Sequence, residues 1–183
     1  MLIRHAVAAL DASACAAIYR PFVEFSVASL EERPPTENEF ASRIERISRR
    51  YPWLVATLDG EVIGYAYASE HRERAAYRWA ADVAVYVAAS HHGRGAGRAL
   101  YDALLPLLPR QGLHIACAGI TLPNEASVAL HQAFGFTAVG IYRRIGWKAG
   151  AWRDVGWWSL ELLEPTSDGP PAEPGPPARL DAT

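Results

Sequence analysis

The most informative part of the chain reads Ala84-Val85-Tyr86-Val87-Ala88-Ala89-Ser90-His91-His92-Gly93-Arg94-Gly95-Ala96-Gly97-Arg98-Ala99-Leu100-Tyr101. Its first residues are β-branched and aromatic, which predicts a strand, and its last residues begin the apolar spacing of a helix. Alternating glycines form the turn between the two elements. Such a turn directs several backbone N–H groups and the positive end of a helix dipole to one point. The segment therefore predicts a site for an anionic, phosphorylated ligand.

Two familiar phosphate loops do not match this turn. A mononucleotide P-loop needs Lys and then Ser or Thr after its last glycine, whereas Arg98 follows Gly97 here. A dinucleotide loop begins directly after its strand with Gly-x-Gly-x-x-Gly. Five residues separate Val87 from Gly93 in this chain, and the glycines alternate. The sequence therefore excludes the mononucleotide loop and matches the dinucleotide loop poorly.

A third kind of loop fits better. The pyrophosphate loop of acyl-CoA-dependent N-acyltransferases has a basic or polar residue followed by x-x-Gly-x-Gly/Ala, and residues 92–97 have this spacing. His92 stands where Gln or Arg is usual. The alternative is a surface turn between a strand and a helix, whose glycines only permit its tight geometry.

The composition is that of one globular domain. The chain has 183 residues, of which 50% are hydrophobic and 21% charged, so it can bury a substantial core. No run approaches the ~20 apolar residues of a membrane span, and no signal-peptide pattern begins the chain. The net charge of −2 argues against a nucleic-acid-binding surface. We expect a cytoplasmic protein without nucleic-acid or membrane partners, in which Cys15 and Cys117 are reduced.

Helix signals occur at four places along the chain. Asp11 is a candidate N-cap, and Pro21 is expected to break or kink the helix that follows. Thr36 and Glu39 have the spacing of a capping box. The helix after the glycine loop is predicted to reach about Arg110, and the last helix is predicted to run from Asn124 to a C-cap at Gly135.

Strand signals occur between these helices. Asp59-Gly60 predicts a type I′ hairpin turn between two strands. The predicted strands cover approximately residues 2–7, 53–58, 61–67, 77–87, 113–120, 138–144 and 154–162. The resulting order is β-α-α-β-β-β-α-β-α-β-β, an α/β (α+β) fold. We expect one domain over residues 1–163, followed by a Pro-rich, disordered tail over residues 164–183.

Five blocks in order resemble the GCN5-related N-acetyltransferase (GNAT) superfamily and, within it, the phosphinothricin N-acetyltransferase family. The resemblance covers nearly all of Leu2–Leu163 and implies a GNAT fold, with a mixed sheet of about six or seven strands and about four helices. It also implies acetyl-CoA as cosubstrate and no metal. The blocks are the glycine loop with the strand before it, and residues 51–56, 122–131, 134–136 and 146–154.

The resemblance implies a role for each part of the cofactor site. Backbone amides of Val85, Tyr86 and Val87 would hold acetyl-CoA and polarise its acyl carbonyl, and Asn124 and Ser127 would bind the pantetheine arm. The pyrophosphate would lie on the loop residues His92, Gly93, Arg94, Gly95, Ala96, Gly97 and Arg98.

Two residues are candidates for the catalytic base. A free α-amine has a pKa near ~8 and is mostly protonated at neutral pH, so a base must take its proton. The family has a glutamate where Asp82 stands, and Asp shortens its reach by one methylene. His131 matches a histidine that the family carries on this helix. The alternatives are a solvated Asp82 at a strand end and a packed His131 with satisfied ring nitrogens.

The acceptor residues also follow from the resemblance. Arg72, Arg74, Arg78 and Tyr77 would face an acceptor that carries acidic groups, since guanidinium groups pair well with carboxylates and phosphinates. For any one arginine, an ordinary loop position is the alternative. Leu30 stands where the family commonly has an aromatic residue that lines the pocket, which leaves the substrate's identity open.

The sequence thus predicts an N-acetyltransferase that moves acetyl to the α-amine of a small amino-acid-like acceptor, by direct attack in a ternary complex. Phosphinothricin, methionine sulfoximine and methionine sulfone are the acceptors that the family suggests, and relatives tend to be homodimers. Two alternatives stay open. One is the same fold acting on a polyamine, a peptide N-terminus or an antibiotic amine. The other is a catalytically silent acyl-CoA sensor.

Overall fold

A computed structural model describes residues 1–164 and 169–181 of the chain. The described residues form seven strands and five α-helices in the predicted order, except that the third predicted helix is divided in two. Two 3₁₀ turns lie at Ala75–Tyr77 and Ala89–His91. The elements are β1 (Leu2–His5), α1 (Ala8–Glu24), α2 (Glu37–Ser48), β2 (Trp53–Leu58), β3 (Glu61–Glu70), β4 (Ala80–Val87), α3 (Ala96–Leu104), α4 (Leu107–Gln111), β5 (Ile115–Leu122), α5 (Glu125–Ala133), β6 (Thr137–Lys148) and β7 (Ala151–Glu161).

All seven strands join one mixed sheet in the order β1-β2-β3-β4-β5-β7-β6. Within the described residues, β4 and β5 are the parallel pair, and the other neighbours are antiparallel. The parallel ladder is short, because it pairs Ala80, Ala81 and Asp82 of β4 with the first residues of β5 and then ends. Beyond this point the two strands diverge.

The helices cover both faces of the sheet. Tyr19 of α1 and Phe40 of α2 pack edge-on against Tyr86 and Tyr65, with ring centroids 4.9 and 5.7 Å apart. Leu100 of α3 lies on the opposite face, where a side chain at Gly64 would meet it. Alternate residues of β3 and β4 therefore serve two cores, as the two-residue period of a strand requires.

The short-range predictions are confirmed. Asp59 and Gly60 both have positive φ, 51° and 87°, as a type I′ turn requires. Thr36 and Glu39 form the predicted capping box at the start of α2. The side chain of Asn124 caps α5 by accepting from the Ser127 N–H.

Several predicted boundaries are wrong. Helix α1 begins at Ala8 and continues past Pro21 to Glu24, so this proline does not end the helix. The long helix predicted after the glycine loop is divided into α3 and α4 next to Pro106, because proline provides no N–H for the helical ladder. Strand β4 begins later than predicted, since a 3₁₀ turn occupies Ala75–Tyr77.

The end of the chain lies along the domain. Residues 169–181 contain no helix or strand, and they make defined contacts with the domain. The Trp79 indole N–H donates to the Ala172 carbonyl at 2.9 Å, and the Leu180 N–H donates to His5 Nε2 at 3.1 Å. The remainder of the predicted disordered tail, residues 165–168 and 182–183, lies outside the described residues.

A partly buried ion pair joins β1 to α1. Asp11 is 1% exposed, and both of its carboxylate oxygens accept from Arg4 at 2.7 Å. The Val7 N–H donates to the same carboxylate, so Asp11 satisfies the helix start from within the first turn instead of from the predicted N-cap position. Burial by itself would raise the pKa of Asp11, but the hydrogen bonds from Arg4 and Val7 lower it overall.

We predict that Asp11→Asn lowers the free energy of unfolding by about 2–3 kcal/mol, because it leaves the Arg4 guanidinium without its anion. Since folding lowers the pKa of Asp11, its contribution is present above pH ~4 and disappears as the pH falls through the folded-state value. Urea denaturation at several pH values measures both effects. Glu24→Gln, at an exposed i,i+4 pair with Arg20, is the control and should change stability by under about 0.5 kcal/mol. An equally small change for Asp11→Asn would contradict the prediction.

Candidate functional site

A cavity of about 520 Å³ opens where β4 and β5 diverge. Its walls come from both strands, the glycine loop and the first turns of α3 and α5. This is the place at which the sequence predicts a phosphorylated ligand. The lining residues are Phe22, Ala28, Val83, Ala84, Val85, Tyr86, Val87, His91, His92, Gly93, Gly95, Ala96, Gly97, Arg98, Ala118, Gly119, Ile120, Thr121, Asn124, Ala126, Ser127, Leu130 and His131.

The glycine loop has the backbone that an anion-binding turn needs. Gly93 and Gly95 both lie in the left-handed region, with φ of 72° and 82°, and Gly95 is the N-cap of α3. No side chain caps this helix, so the N–H groups of its first turn remain available to a ligand in the cavity. The His92 imidazole instead lies 2.8 Å from the Val87 carbonyl oxygen through Nε2 and holds the loop against β4.

The predicted acyl-binding strand also lines the cavity. Val85, Tyr86 and Val87 pair with β3 on one edge, while the other edge lost its β5 partner at Asp82. The Tyr86 ring packs 4.9 Å from Tyr19 on the α1 side. Tyr86 can therefore contribute to the site through its backbone, as the sequence analysis expects for this segment.

The pantetheine candidates lie at the opposite wall. Asn124 and Ser127 both line the cavity, and Asn124 Oδ1 accepts from the Ser127 N–H at 3.2 Å. The Asn124 side chain thus already serves as the α5 cap, which leaves its amide N–H₂ for a ligand. Arg94 and Arg98 belong to the loop. Arg98 lines the cavity and lies 5.3 Å above the Phe134 ring, whereas Arg94 does not line the cavity.

His131 has the environment of a packed residue. It is 3% exposed, its Nδ1 lies 2.8 Å from the Ser127 carbonyl oxygen and its Nε2 lies 2.9 Å from the Tyr101 hydroxyl. These contacts fit a neutral ring that donates from Nδ1 and accepts at Nε2. Burial lowers the pKa of His131, in opposition to the Ser127 carbonyl. This arrangement disfavours the predicted role as a catalytic base and favours the alternative of a structural histidine.

A second cavity, of about 990 Å³, lies on the α1/α2 face of the sheet. It contains five arginines and two glutamates, so its net charge is positive. The predicted acceptor residues Arg72, Arg74 and Tyr77 line it. The other lining residues are Arg43, Arg46, Ile47, Arg50, Tyr51, Tyr67, Ser69, Glu70, His71 and Glu73.

Two predicted acceptor residues do not line this cavity. Arg78 forms a two-bond pair with Glu173 at 2.6 Å and lies 3.9 Å above the Trp79 ring, so its guanidinium is engaged with the end of the chain. Leu30 packs against the backbone of Gly146 in β6. The structure thus separates Arg78 from Arg72 and Arg74, because a turn of 3₁₀ helix lies between them.

The sequence analysis missed the partner of Asp82. His71 Nδ1 lies 2.6 Å from Asp82 Oδ1, and the Cys117 sulfur completes a group of polar atoms within 4.8 Å of one another. Burial raises the pKa of Asp82, against the hydrogen bond and charge of His71 and the charge of Arg72. Burial and Asp82 also raise the pKa of the Cys117 thiol to about 11, so this thiol is inert. The antiparallel pairing of Ser69 with Asp82 brings His71 near this carboxylate, a tertiary register that no local sequence pattern indicates.

Comparison with known proteins agrees with this geometry. The model of the Acetyltransferase (GNAT) domain family matches residues 5–157. A sheet that divides between β4 and β5, with a glycine loop at the opening, is thus that of a GNAT acetyltransferase.

Individual relatives indicate which family within the GNAT superfamily the chain resembles. A phosphinothricin N-acetyltransferase of Streptomyces viridochromogenes is 41% identical over 168 residues, 92% of this chain and 91% of the relative. An L-methionine sulfoximine/L-methionine sulfone acetyltransferase of Salmonella typhimurium is 36% identical over 155 residues, 84% of this chain and 91% of the relative. The crystal structure of a GNAT superfamily phosphinothricin acetyltransferase from Sinorhizobium meliloti in complex with AcCoA has a TM-score of 0.85 at 37% identity, over 91% of this chain and 94% of that chain.

The chain belongs to the GNAT superfamily and, within it, to the phosphinothricin N-acetyltransferase-like family. The fold and family predicted from the sequence are therefore confirmed. In the parts of the chain that the structure describes, no helix has the length and apolar character needed to cross a membrane.

We predict that His131→Phe lowers the free energy of unfolding by about 1–3 kcal/mol, because the buried Tyr101 hydroxyl loses its partner. The double variant with Tyr101→Phe should recover most of this loss, since both polar groups are then absent. Because burial lowers the pKa of His131, wild-type stability should decrease as the pH falls below the usual 6.5, and His131→Phe should lack this part of the pH dependence. Chemical denaturation from pH 5 to 8 measures both. A turnover rate reduced more than 100-fold in a folded His131→Phe variant would instead restore His131 as a base.

Proposed function

We propose that this protein transfers acetyl from acetyl-CoA to the α-amine of a small amino-acid-like acceptor, by direct attack in a ternary complex. The observation that carries the proposal is the opening between β4 and β5, which faces an uncapped helix N-terminus across a glycine loop. The GNAT family match and the acetyl-CoA complex of the Sinorhizobium meliloti relative support the choice of donor.

Three regions of the donor site would each bind one part of acetyl-CoA. The loop from His92 to Arg98 and the first turn of α3 would hold the pyrophosphate, and Asn124 and Ser127 would hold the pantetheine arm. The backbone of Val85–Val87 would place the thioester and polarise its carbonyl. In other acyl-transfer enzymes one such donor contributes ~3–4 kcal/mol to transition-state stabilisation. No metal takes part in this proposal.

The acceptor would bind in the arginine-lined cavity. Arg43 pairs with Glu31, and Arg50 is 3.4 Å from Glu70. Arg46 and Arg74, in contrast, form no ion pair among residues 1–164 and 169–181, so they are available to ligand anions. Relatives named for phosphinothricin and for methionine sulfoximine or sulfone support an amino-acid-like acceptor. A cationic cavity disfavours polyamines, which would need acidic partners.

We further propose a cytoplasmic homodimer that confers resistance to phosphinothricin. Acetylation would neutralise the amine of this herbicide and so change the group by which an amino-acid analogue is recognised. The dimer is supported by exposed apolar side chains on β6 and β7, among them Val139, Ile145, Trp147 and Trp152. Exposed apolar surface of this kind favours an interface. The cytoplasmic location is supported by the free Cys15 and Cys117.

We predict that Gly95→Ala weakens acetyl-CoA binding about tenfold. The substitution opposes the left-handed backbone at the α3 N-cap, at a cost of about 1–2 kcal/mol. Gly60→Ala is a matched control, because Gly60 has a similar φ of 87° and open space around it but lies in the β2–β3 hairpin turn and lines neither cavity. Calorimetric titration with acetyl-CoA should detect binding to the wild type and to Gly60→Ala with equal affinity. No heat of binding for the wild type would contradict the proposed function itself.

We predict that turnover depends on an acidic group in the acceptor. Thiol release from acetyl-CoA should be fast with methionine sulfoximine, methionine sulfone or phosphinothricin and slow with spermidine. Arg74→Gln should lower kcat/KM for these acceptors about tenfold, equivalent to about 1.4 kcal/mol for one lost charge-assisted contact. Arg78→Gln should have little effect, since Arg78 pairs with Glu173. Faster release with spermidine than with the amino acids would favour the polyamine alternative.

A further inference from the structure

His71 and Asp82 have the arrangement of a catalytic dyad, an imidazole hydrogen-bonded to a carboxylate. The 2.6 Å contact joins His71 Nδ1 to Asp82 Oδ1, which leaves Nε2 as the free corner of the ring. Among the described residues Nε2 has no hydrogen-bond partner. A ring that donates from Nδ1 to a carboxylate carries its lone pair on Nε2, the form that accepts a proton.

The ring orientation is fixed on both sides. His71 meets Tyr77 and Trp157 edge-on, with centroids 5.9 and 5.8 Å away. Its side chain is 15% exposed. The carboxylate favours one tautomer of the ring, and the two aromatic rings hold its orientation. A general base requires both.

His71 is also the member of the pair that reaches the acceptor. It lines the arginine-rich cavity together with Arg72, Arg74 and Tyr77, whereas Asp82 does not line that cavity. Asp82 lies at the last paired position of the β4–β5 ladder, directly before the strand segment that faces the other cavity. The dyad therefore connects the proposed acceptor cavity to the start of the proposed thioester strand.

We propose that His71 is the catalytic base of this enzyme and that Asp82 is the positioning residue that orients it; this assignment rests on the proposed function. His71 Nε2 takes one proton from the acceptor ammonium group. The freed nitrogen lone pair forms the C–N bond at the thioester carbon, and the C–S electron pair leaves with sulfur. The second proton on the attacking nitrogen passes to the sulfur, and His71 releases its proton to solvent.

Several groups from neighbouring elements face the His71 ring. Asp82 from β4 stabilises the imidazolium, and Arg72 from the preceding connection opposes it. Cys117 from β5 stays protonated at neutral pH, since its pKa is raised to about 11. Tyr77 and the neutral Trp157 complete the surroundings. Removal of the Asp82 carboxylate should therefore release the His71 ring from the contact that holds Nδ1.

The test compares His71→Ala, Asp82→Asn and the control His114→Ala, a histidine outside both cavities. We expect His71→Ala to lower kcat about 100-fold or more, with acetyl-CoA affinity unchanged within about twofold. Added imidazole should restore part of the lost rate.

Asp82→Asn should lower kcat and remove the preference of His71 for one tautomer, with acetyl-CoA affinity unchanged, and His114→Ala should match the wild type. Nitrogen NMR of labelled His71 should show the Nδ1–H tautomer in the wild type.

The outcomes separate the two proposals. An active wild type with an equally active His71→Ala variant would overturn the assignment of His71 and leave the acetyltransferase function intact. The assignment of His71 would also be overturned if the pH–rate profile kept its acid limb in His71→Ala and lost it in Asp82→Asn, because Asp82 would then be the base. A wild type that binds acetyl-CoA but releases no thiol with any amine would overturn both.

Discussion

The short parallel ladder between β4 and β5 is the constraint on which the remaining structure depends. Pairing ends at Asp82, so the next residues of β4 keep one free backbone edge. The opening is held by α3 and α5, which meet through the hydrogen bond between Tyr101 and His131. The hydrogen bond gives both polar groups, the Tyr101 hydroxyl and the His131 ring, a partner within the apolar core. It fixes the distance between the two helices whose first turns line the cavity, and so it preserves the opening between the strands.

The same ladder end determines how the carboxylate at position 82 can act. The family resemblance expects a glutamate there, with one more methylene than Asp82 provides. In this chain the imidazole of His71 occupies the space beyond the shorter carboxylate, 2.6 Å from it. The pair thus extends the reach of Asp82 toward the arginine-lined cavity. Under our proposal that His71 is the base, the departure from the family pattern at Asp82 becomes a change in how the base is built, with two side chains in place of one.

The predictable part of the structure is the part that local chemistry controls. The Asp59-Gly60 turn, the Thr36 capping box and the Asn124 cap depend on residues within four positions of each other, and all three are confirmed. Strand order could not be predicted in this way, because β7 lies between β5 and β6 through pairings that no local pattern records. The glycine loop is a local pattern and could be read from the sequence. The contact of His71 with Asp82 depends on strand pairing and could not.

The arginines show why an acceptor site is harder to predict than a cofactor loop. Arg72, Arg74 and Arg78 look equivalent in sequence, yet a 3₁₀ turn directs Arg78 to Glu173, 95 residues further along the chain. Arg46, in contrast, reaches the cavity from α2 although nothing near it in sequence suggests a ligand. Backbone N–H groups bind phosphate wherever the turn is formed, so their ligand follows from local geometry. Side-chain cations act only where the fold leaves them unpaired, and tertiary structure alone determines which of them those are.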